Sequence, residues 1–177
     1  MVAVGNAVTW KDENFDALPR LGAAAPDLIN LDATDIQVSA FDGAATLEES
    51  NGHRELQHDY EEGTDIVPHV HWMPVNANAG NVEWFFEYYI KSGAVILATG
   101  TLDAVQAAPG VAWEEQRMDF SAIDGSSFTI GAQVSIRFYR DPNGGSGNDT
   151  YGSDAAVTTF GYHYRVNTTG SRTIDAK

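Results

Sequence analysis

Cysteine is absent from the 177 residues. That removes disulfides, thiolate zinc sites, iron–sulfur clusters and a cysteine nucleophile from the functions open to the chain. Positive charge is scarce: 10 Lys and Arg stand against 25 Asp and Glu, a net charge of −15 at pH 7. A phosphate backbone would meet net repulsion from such a surface, so nucleic acid is not expected as a partner. Long apolar runs are missing as well. The longest candidates, such as Ala94–Ala98, fall far short of the about 20 residues a membrane-crossing helix needs, and no membrane partner is expected. The start, Met1-Val2-Ala3-Val4-Gly5, lacks the basic head and apolar segment of a secretory signal, so export by that route is not expected. There is no Gly-x-Ser-x-Gly elbow, no phosphate-cradling glycine loop before a helix and no His-Glu-x-x-His.

What remains is a chain with 43% hydrophobic and 20% charged residues, near the globular average and long enough for one domain with a sizeable core. The first 34 residues show neither a helical nor a strand period. Trp10, Phe15, Leu18 and Leu21 are scattered among Asp, Pro and Gly, and Gly22-Ala23-Ala24-Ala25-Pro26 follows. Residues 1–34 therefore read as an extended N-terminal arm, with those four side chains as apolar anchors for a partner. Residues 35–170 read as the folded domain and 171–177 as a C-terminal tail.

From Asp35 onward the pattern has period two. Ile36, Val38 and Ala40 alternate with Gln37 and Ser39; Leu56, His58 and Tyr60 follow the turn-like Asn51-Gly52. Ile66–Trp72 is the next run, and Val82, Trp84, Phe86, Tyr88 and Ile90 then share a face. The other face of that run holds Glu83, Phe85, Glu87 and Tyr89, so the strand is expected to be covered on both sides. Ala94–Leu102, Phe128–Arg140 and Val157–Val166 complete the series. Trp84, Phe86 and Tyr88 are expected in the core, with Phe85 and Tyr89 open to an interface role. No segment has a convincing amphipathic helical period. Evenly spaced strands without helices predict an all-β, antiparallel sandwich, jelly roll or small barrel.

Two loops stand out. Asp103–Pro109 reads as a small-residue crossover. Asp141–Asp154 is long, acidic and glycine-rich; Asp141, Asn143, Asp149 and Asp154 supply oxygens that suit calcium, but Ser146 and Gly152 break the EF-hand register. A solvated turn is the reading of that loop. Glu61/Glu62 and Glu114/Glu115 are adjacent on the chain, so strand geometry would point their carboxylates to opposite faces.

The sharpest feature is Gly63-Thr64-Asp65-Ile66-Val67-Pro68-His69-Val70-His71-Trp72. On a strand His69 and His71 share one face, and Val70 and Trp72 the other. Two imidazoles on one face suit a transition metal, with further ligands from His163, His58, a carboxylate or the same pair on other subunits. Three readings stay open. A three-fold axis brings three pairs around one metal; the run is the opening of a cupin motif, whose metal sits inside a barrel; or the histidines are hydrogen-bonded strand residues without metal. The cupin pattern is incomplete: Val75 and Asn76 stand where its Glu belongs, and nothing around His163 matches its second motif.

That ten-residue run resembles a stretch of small virion proteins of tailed bacteriophages. Trp84-x-x-Glu87-Tyr88 is similar to the next strand of that family. Arg137-Phe138-Tyr139-Arg140-Asp141, with Asp149-Thr150-Tyr151, resembles its late hairpin, and His163-Tyr164 followed by Gly170-Ser171-Arg172 its C-terminal end. The resemblance spans roughly Gly63 to Arg172. It implies a non-enzymatic structural protein, a β-sandwich or jelly roll assembled as a homotrimer. The expected role is a capsid decoration (cement) protein on the virion exterior whose arm grips the major capsid protein. A tail, fibre-adaptor or host-recognition module is the alternative within the same class, and a cupin-like metal-dependent enzyme the alternative outside it.

Overall fold

The computed structural model describes residues 8–16, 18–19 (backbone only), 25–44, 47–144 and 146–170. Leu21, one of the four expected anchors, and the 171–177 tail lie outside the described residues. Within them the chain is all-β, in the order β1 (Thr9–Asn14), β2 (Leu18–Pro19), β3 (Asp27–Asn30), β4 (Gln37–Phe41), β5 (Glu48–Glu55), β6 (Ile66–Pro74), β7 (Asn81–Ser92), β8 (Val95–Ala107), β9 (Gln116–Asp119), β10 (Gln133–Arg140) and β11 (Ala155–Val166).

Two antiparallel sheets face each other. One runs β3-β4-β11-β6-β9, with β1 also on β11; the other runs β2-β5-β10-β7-β8. The pairs β4·β11, β5·β10, β6·β9 and β7·β8 are nested, so the chain from β4 to β11 is one long hairpin wrapped into two layers. That is jelly-roll topology, and it meets the sequence expectation.

The alternation in β7 shows why these residues make strands. Val82, Trp84, Phe86 and Ile90 are wholly buried between the sheets. Trp84 meets Phe41 and stacks on Phe138 at 5.0 Å, Phe86 meets Phe120 and Phe15, and Phe138 in turn stacks on Phe160 at 4.7 Å. The opposite face of β7 departs from the expected cover on both sides. Glu83 is buried beneath Ser146 and Asn148, but Glu87 and Tyr89 are exposed. The Asp103–Pro109 stretch is likewise not a crossover, because β8 continues through it to Ala107.

The N-terminal segment corrects the expected arm. β1 pairs with Gly161–Val166, continuing along β11 where β4 leaves off at Ala155–Val157. β2 extends the other sheet beside β5, and β3 lies beside β4. Phe15 is a core residue: its ring lies 5.6 Å from Tyr162 and 5.9 Å from Phe160, and its backbone N–H donates to Phe160 O at 2.9 Å. It is therefore not a free anchor, and the described part of residues 1–34 belongs to the domain. Gly52 explains a second departure. Asn51-Gly52 is not a turn but the middle of β5, where a Cβ on Gly52 would stand 2.6 Å from the Phe15 Cβ. The glycine makes room for the ring.

Candidate histidine site

β1, β11, β6 and β9 lie side by side, and their outward residues form one polar face. Asp12 stands opposite His163, Gly161 opposite His69, and His69 and His71 opposite Asp119 and Arg117. The inner face beneath them is closed by Ile66, Val70 and Trp72, all wholly buried. His69 and His71 therefore share the outer face, as their spacing predicts. A cupin metal, by contrast, sits inside its barrel.

His69 has no exposed side-chain surface, although it points away from the core. Its ring stacks on His163 with centroids 4.2 Å apart and planes 16° from parallel, and His71 meets it edge-on at 5.4 Å. Asp12 Oδ1 lies 3.4 Å from His69 Nε2 and 3.9 Å from His163 Nδ1. Among the described residues neither ring nitrogen of His69 has a hydrogen-bond partner, and the buried His163 Nε2 has none. Burial drives the His69 pKa down to about 4; His163, His71 and Arg117 push the same way and Asp12 opposes them. His69 is therefore neutral at physiological pH, with a lone pair available on one nitrogen.

Around this centre the charges are paired. His71 Nδ1 lies 2.7 Å from Glu115 Oε1, and Arg117 donates to both oxygens of Asp119 at 2.8 and 3.0 Å. An open depression of about 370 Å³ lined by Trp10, Val67, Arg117 and His163 lies beside the stack. Trp10, an expected anchor, is 48% exposed there, while Leu18 sits in β2 opposite Asn51. His58 faces Glu55 at 3.7 Å and is outside the group.

Asp12, His69 and His163 are the one set of three His, Asp or Glu donors among the described residues whose ligand atoms lie within 4.8 Å of one another. The sequence placed His69 and offered His163 as a partner, but Asp12 was missed. The trace was there: Trp10, Asp12 and Asn14 alternate with Lys11 and Glu13 in the segment that forms β1.

The Asp141–Asp154 loop contributes no such group. Arg140, fully buried, donates through Nε and Nη2 to the Asp149 carboxylate at 2.8 and 2.9 Å, and to the carbonyls of Phe41 at 3.1 Å and Ser153 at 2.7 Å and that of Tyr151. Asp149 is thus an internal counter-ion; the loop is pinned from Asp149 to Ser153, while Asn143, Gly144 and residues 146–148 form an exposed turn as the sequence predicts.

No family model matches this sequence, and no curated protein matches it. Among solved structures, TmCBM61 in complex with beta-1,4-galactotriose aligns at 9% identity over 88% of each chain, with a TM-score of 0.41. The mannan-recognising module TmCBM27 aligns at 10% identity over 89% of each chain, with a TM-score of 0.39. A family 11 carbohydrate-binding module from Clostridium thermocellum aligns at 10% identity over 92% of each, also at 0.39. At these identities and scores the likeness carries nothing about what this chain binds.

Proposed function

We propose that this chain is a non-enzymatic structural protein of a tailed-phage virion, a homotrimer that decorates the capsid exterior and holds neighbouring capsomers. The observation that carries the reading is the outer edge of β8. Among the described residues this 13-residue strand pairs with β7 alone and ends its sheet. Val95, Ile96 and Val105 on it are 61%, 53% and 42% exposed, and Tyr89 on β7, opposite Thr99 between them, is exposed as well. A long open edge with apolar side chains is a template for another chain unless a partner covers it. The ordered likeness from Gly63 to Arg172 supplies the class of assembly.

The test has two parts. Native mass spectrometry of the chain should show a species near three times 19.1 kDa, and Ile96→Lys with Val105→Glu should reduce it to the single chain without unfolding it. Quantitative proteomics of purified particles should then find about one trimer per three-fold position of the shell. A stable monomer overturns the assembly, and a few copies per particle move the chain from the shell to the tail.

A further inference from the structure

We propose that Asp12, His69 and His163 form a site within one chain for a divalent transition-metal ion of the zinc type, and that the ion clips the N-terminal strand to the body of the sandwich. The inference does not depend on the virion reading. Each donor comes from a different one of three neighbouring strands: Asp12 from β1, His163 from β11 and His69 from β6. No one of the strands holds the ion alone, so binding ties together what the fold has brought side by side.

Distances support the grouping. Ligands about 2.0–2.1 Å from a tetrahedral zinc stand roughly 3.4 Å from one another. The Asp12 oxygen is 3.4 Å from His69 Nε2 and 3.9 Å from His163 Nδ1. Two nitrogens and one carboxylate oxygen form a ligand set that suits zinc and its neighbours over calcium or magnesium. His163 also lines the depression beside Trp10 and Arg117, which gives water a route to that side of the group. Arg117 does not oppose the ion with a bare charge, because Asp119 neutralises it.

The second observation is independent of those distances. Buried polar atoms in folded proteins are hydrogen-bonded in the large majority, and each exception calls for an explanation. Here three imidazole nitrogens of two adjoining rings are buried without a partner, and the His69 side chain has no surface from which to reach solvent. An ion beside Asp12 accounts for His69 Nε2, the unpartnered nitrogen nearest that carboxylate; on His163 the nitrogen facing Asp12 is Nδ1. The stack itself must open for this, because parallel rings do not aim their lone pairs at one point. Under the proposal that movement falls to His163, whose side chain is 21% exposed and lines the depression, whereas that of His69 is fully buried.

Untagged full-length chain, stripped with chelator and titrated with Zn²⁺, tests this by native mass spectrometry and by thermal unfolding. One ion per chain is expected, with a rise in the unfolding midpoint that saturates at one equivalent. Asp12→Asn and His163→Gln, both at partly exposed side chains, should each weaken binding at least tenfold with the zinc-free midpoint little changed. His71→Gln should leave affinity within about two-fold. Co²⁺ in place of Zn²⁺ should give the visible absorption of a tetrahedral nitrogen–oxygen site. Absence of a bound ion at micromolar Zn²⁺ overturns the proposal, as does binding that survives both variants. One ion per three chains, lost on His71→Gln, overturns it in favour of a site between subunits.

Discussion

Glu48 opens β5 with its carboxyl inside the sandwich, and burial drives its pKa up to about 7. Asp42, Asp27 and Asp154 add negative potential, against which the Asp42 backbone N–H donates to Oε2 at 2.6 Å. The unfolded chain releases this proton near pH 4.5, so between about 4.5 and 7 the folded state holds more protons than the unfolded one. The contribution of this group to stability is therefore complete below pH 4.5 and lost as pH rises through 7. Glu48→Gln keeps an acceptor for the Asp42 N–H and carries no charge. The variant should match the parent at pH 4.5 and exceed it at pH 8 by on the order of 2 kcal/mol. Urea titrations at the two pH values read this directly, and parallel behaviour of the two proteins would mean that Glu48 ionises freely. None of it is visible in the sequence, where nothing in Leu47-Glu48-Glu49-Ser50 marks one carboxyl as buried.

At the scale of elements, two segments that looked peripheral hold the sandwich together. Arg140 ends β10 and receives the Asp141–Asp154 loop through Asp149 and the carbonyls of Tyr151 and Ser153, and β4 through the carbonyl of Phe41. Removing one partner of a buried pair leaves an uncompensated charge, at a cost of about 3–5 kcal/mol. Arg140→Met and Asp149→Asn should each lower unfolding stability by roughly that amount, and the double variant should cost much less than their sum, a coupling that denaturant titration measures. The N-terminal strand is the second such segment. Deleting residues 1–16 removes Phe15 from the core and exposes the β11 edge, so a loss of about 3–5 kcal/mol or outright failure to fold is expected. A truncated chain as stable as the parent would mean that β1 is dispensable. The strands from β6 to β11 with a buried alternating face, notably β7, β10 and β11, were legible because their periodicity records the core directly. β1, β2, β3 and β9 were not, since their membership is set by backbone pairing with distant strands rather than by their own apolar pattern. The candidate site divides in the same way: His69 and His71 are two apart on one strand, whereas Asp12 reaches His163 only through the β1·β11 register.

For the whole molecule, the arrangement of charge matters more than its total. Lys11, Arg54, Arg117, Arg137, Arg140 and Arg165 each face a carboxylate, in order Asp59, Glu13, Asp119, Glu49, Asp149 and Glu61. Of the 10 Lys and Arg, most are thus cancelled locally, and apart from the buried Glu48 and Glu83 most of the excess acid lies on the surface. Two copies of such a molecule repel, and the repulsion weakens as salt shortens the screening length from about 30 Å at 0.01 M to about 10 Å at 0.1 M. The proposed trimer, held at an apolar edge, should therefore tighten as ionic strength rises. A shell that recognises this acidic surface must offer positive charge, and its attachment should weaken over the same range. Sedimentation of the free chain and co-sedimentation with undecorated shells, each at 0.01 M and 0.1 M salt, read the two slopes separately. Opposite signs fit an apolar trimer contact with an acidic docking face. A trimer that dissociates with salt would place ion pairs, not the β8 edge, at the centre of the assembly.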